Sequence, residues 1–112
     1  MNSLPRTVHL TKRWGEGIRN PTPQDLAAAI AELGRSDSEH PDCWLSDEDG
    51  WSVSLFESGL AVLENDETDE GPWYLTDVSR ETALELWRLL QSGDLTTLRA
   101  RAWQSGYGAP QK

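Results

Sequence analysis

Carboxylates are the reactive groups this sequence holds in excess: 19 Asp and Glu stand against 10 Lys and Arg and two His. Carboxylates at suitable spacing can ligate a cation, work as an acid–base pair, or attract a basic partner. The run Asp47-Glu48-Asp49-Gly50 tests the first possibility. An EF-hand alignment with Gly50 at the invariant glycine puts Leu45 and Phe56 at the first and last ligand positions, and neither side chain coordinates calcium. Glu39, His40, Asp42 and Cys43 are ligand types in a loose group. Their spacing matches no paired zinc signature, and the other histidine, His9, lies far away in the chain. No metal and no cofactor is expected.

The signals of an enzyme are weak as well. There is no phosphate-cradling glycine loop, no nucleophile elbow and no His-Glu-x-x-His. Cys43, beside Trp44, reads as a small buried hydrophobe rather than a nucleophile. Glu64 and Glu70 are the kind of pair that serves glycoside hydrolysis, but in a chain this acidic some pair always falls at a suggestive spacing. A small carboxylate-dependent hydrolase is therefore the last-ranked reading, and the expectation is a protein that is not an enzyme.

The third possibility is carried by the charge map. Residues 36–79 hold 13 of the 19 acids and no Lys or Arg, a net charge of −13; the other six acids face ten basic residues, a net +4. With −9 overall and a pI near 4.5, the chain repels nucleic acid and anionic membranes, because phosphate binding needs clustered cations. Acidic turns also serve solubility alone. Here, however, Trp44, Trp51, Trp73 and Tyr74 interleave with the acids, and aromatic anchors beside one-signed charge suit an electrostatically steered protein interface. Asp47, Glu48, Asp49, Glu57, Glu64, Asp66, Glu67, Asp69 and Glu70 are the candidate charged contacts, and Trp51, Trp73 and Tyr74 the candidate anchors. His9, Lys12 and Arg13, with Arg6 before them, are the basic counterweight and are expected to pair within the chain.

These residues need a scaffold, and 112 residues suit one domain, with 1–6 and 105–112 as frayed tails. Residues 7–14 alternate Val8 and Leu10 with His9 and Thr11, the period of a half-buried strand. Thr22-Pro23-Gln24-Asp25 opens a helix carrying Leu26, Ile30 and Leu33, with Gly34 as its stop. Residues 43–45, 51–56, 60–63 and 73–78 then read as strands joined by glycine-bearing turns. Ser79 caps a second helix with an apolar stripe of Ala83, Leu86, Trp87 and Leu90 that closes at Gly93; Asp94 starts a short third helix with Leu95, Leu98 and Ala102. The expected fold is α+β: an antiparallel meander of four to five strands, with two main helices and a short C-terminal helix on one face.

At this level a resemblance is visible. Cys43-Trp44-Leu45-Ser46, Trp51-Ser52-Val53, Gly59-Leu60-Ala61-Val62-Leu63-Glu64, the run from Val78 to Trp87, and Gly93-Asp94-Leu95 through to Trp103 are similar to the Imm1-type immunity proteins of bacterial polymorphic toxin systems. The resemblance covers roughly the last two thirds of the chain. It implies a cytoplasmic, acidic inhibitor that binds a cognate toxin, a basic nuclease or deaminase domain, and covers its active site or substrate surface. It carries over no catalytic residues. The lone cysteine and the lack of an apolar run long enough for a bilayer also favour the cytoplasm and no membrane partner. A monomer or weak homodimer is expected. A non-catalytic adaptor or regulatory subunit, dimeric through a free sheet edge, is the alternative.

Overall fold

A computed structural model describes residues 7–108 of the chain. Its elements are β1 (Val8–Thr11), β2 (Gly17–Arg19), α1 (Pro23–Glu32), β3 (Asp42–Asp47), β4 (Trp51–Phe56), β5 (Ala61–Asn65), β6 (Glu70–Leu75), α2 (Arg80–Ser92), α3 (Leu95–Arg99) and β7 (Gln104–Ser105). The strands form one sheet in the order β2-β1-β3-β4-β5-β6-β7, every neighbouring pair antiparallel. The α+β class is as the sequence predicts, but the sheet has seven strands rather than four or five.

The two additional strands are short and lack alternation of their own. β2 exists because the turn at residues 12–16 is tight: Lys12 N donates to Glu16 O at 2.8 Å, and Gly15 takes φ +95°. Ile18 is thereby set opposite Leu10. β7 is only Gln104–Ser105, held against Tyr74 and Trp73 of β6. Residues 105–108 are thus anchored, contrary to the expectation of a frayed tail from 105 onward. The predicted tails 1–6 and 109–112 lie outside the described residues.

Alternation sorts the side chains onto two faces. Val8, Leu10, Cys43, Leu45, Val53, Leu55, Ala61 and Leu63 point to one side, where α1, α2 and α3 add Leu26, Ile30, Leu86, Trp87, Leu90 and Leu98 to a single core. Burying one such leucine contributes roughly 2 kcal/mol. Trp87 is fully buried and donates its indole N–H to Val53 O at 3.0 Å, so its one polar atom is satisfied. All three helices lie on this side; among the described residues no helix covers the other face, where Val62 is nonetheless buried at 2% exposure.

The caps follow the sequence closely. Thr22 and Asp25 exchange the two bonds of a capping box, Ser79 accepts from Thr82 N, and Gly93 closes α2 at φ +80°. α1 ends differently from the prediction: Leu33 is the cap, in right-handed geometry, and Gly34 is not left-handed. The Arg80 guanidinium lies against Gly34, with Nη2 2.5 Å from where a Cβ would sit. α3 stops at Arg99, short of Ala102.

Candidate functional site

In an antiparallel meander, successive turns fall at alternate ends of the sheet. The β3–β4 and β5–β6 turns therefore share one end, and the structure ties them together there. Asp47 is 8% exposed, and its carboxylate accepts from Asp49 N and Trp51 N, both at 2.9 Å, fixing the first turn. The buried Asn65 does the same for the second, accepting from Glu67 N at 2.8 Å and Thr68 N at 3.0 Å. Asn65 Nδ2 also donates to Asp49 O, and Asp66 N donates to Gly50 O at 3.0 Å, so one turn is bonded to the other. Gly50 sits at the junction with φ +94°, where a Cβ would lie 2.6 Å from Asn65 Oδ1.

This junction brings together seven of the nine predicted charged contacts. Glu48, Asp49, Asp66, Glu67 and Asp69 are exposed on it, Glu70 is half-buried, and Asp47 is the internal brace. Glu70 pairs with Arg99 at 3.3 Å, and that guanidinium lies 5.2 Å from the Trp51 ring and 5.5 Å from the Trp73 ring. The two rings stack on each other with centroids 6.4 Å apart. Trp51 is 5% exposed and belongs to the core, which corrects its predicted role as an anchor. Trp73 is half-buried beneath Arg99 on the helix-covered side.

Glu64 and Tyr74 belong to the open face. Strand pairing aligns Thr11, Trp44, Ser54, Val62, Tyr74 and Gln104 in one row across it, and His9, Ser46, Ser52 and Glu64 in the next row toward the acidic end. The chain after β7 returns over this face: Gly106 N donates to Pro72 O, and Tyr107 Oη donates to Glu64 Oε1 at 2.9 Å. That carboxylate in turn pushes the Tyr107 phenol above its ordinary pKa. Trp44 and Tyr107 are the large exposed apolar residues here, at 38% and 62%. Neither was among the predicted site residues.

Glu57 lies at the opposite end of the sheet, away from the other acids, because the β4–β5 turn faces the other way. It belongs to a clasp around Arg13, whose side chain has no solvent exposure. Arg13 donates to the carbonyls of Glu32, Arg35, Asp37 and His40 and, at 2.7 Å, to Glu57 Oε1. The Asp37 N–H, followed by the Arg13 guanidinium, holds the Glu57 carboxyl below its ordinary pKa. The Arg13 and Arg35 guanidiniums each lie over the Trp14 ring, at 5.3 and 5.5 Å from its centroid, and Trp14 donates its indole N–H to Asp37, the main reason that carboxyl is also lowered. Lys12 pairs with Glu32 at 3.0 Å and Glu16 at 3.4 Å. The intrachain use of Lys12 and Arg13 is thus as predicted.

The residues considered for other chemistry do not converge. Cys43 is buried on the core side, and burial pushes its thiol up to about 12. His40 instead faces Asp37 at 3.2 Å. Among the described residues no group of three His, Cys, Asp or Glu could hold a metal ion, and no helix is long and apolar enough to cross a membrane. A cleft of about 150 Å³ lies between the ends of α1 and α2, and a more open groove of about 360 Å³ runs along α2 beside Leu84, Arg88 and Leu89. No family model matches the chain, and neither a curated protein nor a solved structure matches it.

Proposed function

We propose that this protein is a protein-binding inhibitor of the immunity type, as its resemblance to Imm1-type proteins implies. It neutralises a basic toxin domain, a nuclease or deaminase, by covering the active site or substrate surface. The observation that carries this reading is the bonding of two acidic turns into one surface by Asp47, Asn65 and Gly50. Turns fixed by such bonds lose little backbone freedom on binding, so the carboxylates they carry can imitate a phosphate backbone at reduced entropic cost. A one-signed surface also accelerates encounter with an oppositely charged partner. On this reading the protein performs no catalysis and acts from the cytoplasm.

The test compares tagged wild-type protein with the triple variant Glu48→Lys, Asp66→Lys, Glu67→Lys in pull-downs from the native lysate at low and high salt. These three side chains are exposed, so their replacement changes stability by no more than about 0.5 kcal/mol each. A single basic protein retained at low salt, weakened at high salt and lost to the variant is the expected outcome. With the partner in hand, its association rate falls about tenfold for the variant and loses most of its salt dependence. Equal recovery by both proteins, or recovery of a neutral complex, overturns the proposal.

A further inference from the structure

The acidic end has charge but little apolar surface. A stable protein interface buries about 800 Å² on each partner and has an apolar centre inside a polar rim. The exposed turns alone offer the rim. The open sheet face next to them offers a centre: the row from Thr11 to Gln104 spans β1 and β3 to β7, about 24 Å at ~4.8 Å per strand. With the rows on either side the face covers roughly 350 Å², a little under half of what a standard interface takes, and the adjoining turns extend it.

We infer that this open face is the floor on which the basic partner docks, with Trp44 and Tyr107 as its aromatic anchors and the acidic turns as its rim. The inference rests on the inhibitor reading above and names the surface it uses. Charge complementarity fixes both the occupant and its orientation. Glu64 stands on the face itself, its carboxylate held by Tyr107, and continues the negative surface of the turns onto the sheet. His9 and Arg19 occupy the β1–β2 side of the same row, so the partner's cations lie toward β5 and the turns. A second copy is the poorer occupant, because a chain of net charge −9 repels itself. Trp44 has attributes of a hot spot: a large aromatic, 38% exposed, set between Thr11 and Ser54 in its row.

The experiment is amide-shift mapping on isotope-labelled full-length protein, titrated with a short synthetic peptide of alternating arginine and leucine. A glutamate–leucine peptide serves as control. Shifts at Trp44, Ser54, Val62 and Tyr74 together with the turns, about tenfold weaker binding for Trp44→Ala and recovery in Trp44→Phe support the inference. Shifts confined to residues 47–50 and 66–70 overturn the docking face and leave the acidic inhibitor reading standing. An absence of shifts with the arginine peptide overturns both. The same face shifting when the protein alone is concentrated assigns it to a second copy and overturns the inference. Mapping uses the wild-type chain, so a variant that fails to fold cannot decide the result.

Discussion

Replacing Arg13 with methionine removes the one side chain that joins the β1–β2 turn, the end of α1, the following loop and the β4–β5 turn. Arg13 carries no solvent exposure and five hydrogen bonds, four to backbone carbonyls and one to the Glu57 carboxylate. Removing one member of a fully buried ion pair costs about 3–5 kcal/mol, and Glu57, at 25% exposure, keeps access to water. Arg35 and His40 are exposed, so water can reach some of the abandoned carbonyls, which places the loss near the lower bound, about 3 kcal/mol. At about 4 °C per kcal/mol for a domain of this size, the melting midpoint falls by about 12 °C. Arg13→Lys keeps a charge for Glu57 but offers a single nitrogen that cannot span four carbonyls, so it recovers less than half of the loss. Thermal melts followed by circular dichroism, with urea unfolding for the free energy, measure both variants. A drop below about 4 °C, the effect of one ordinary hydrogen bond, refutes the clasp as a stabilising centre.

Glu57 has a depressed folded pKa, so its contribution to stability is complete above the ordinary value of 4.5 and is lost as pH falls through the folded one. The stability gap between wild type and Glu57→Gln is therefore constant at neutral pH and narrows below about pH 4.5; a gap unchanged down to acid pH refutes this. Cys43, buried and with its thiol pushed up to about 12, reacts with a disulfide reagent at pH 8 only as fast as the protein unfolds. Fast labelling in native buffer contradicts that burial. Gly50→Ala strains φ +94° and drives a Cβ against Asn65, costing roughly 2 kcal/mol and exposing the Asp66 amide to hydrogen exchange. Unchanged protection of that amide shows that the two turns are not coupled through Gly50.

The sequence revealed most where the information is local. The capping box at Thr22, the cap at Ser79 and the left-handed Gly93 are signals contained within a few residues, and the structure reproduces each. The partners of Arg13 were opaque for the opposite reason: they are mainly carbonyls 19 to 27 residues away, and carbonyls leave no mark on side-chain type. β7 depends on pairing with β6, which two residues cannot announce. Two site residues were legible in principle. Trp51 is in phase with Val53 and Leu55 and so had to face the core, whereas Trp44 is out of phase with Cys43 and Leu45 and so had to face outward. The alternation of meander turns likewise separates Glu57 from the acids at 47–49 and 66–70. Tyr107 was not legible, because the fold of the chain beyond β7 sets its place.

The two ends of the sheet handle charge in opposite ways, and this contrast bears on function. At one end Arg13, Arg35 and Lys12 are consumed internally by carbonyls, an indole ring and carboxylates. At the other, Asp47 and Asn65 spend their oxygens on backbone N–H groups, which fixes the turns while Glu48, Asp66, Glu67 and Asp69 remain exposed. Like charges held this close repel, and the repulsion is a standing cost to the fold. Arg99 offsets it at Glu70, where it also lies over the Trp51 and Trp73 rings. On the inhibitor reading proposed above, a basic partner that binds the folded state alone lowers this repulsion and stabilises the protein by mass action. On that reading the arrangement that costs stability in isolation yields binding energy in the complex, and the bonding between the turns keeps that gain from being lost to ordering on contact.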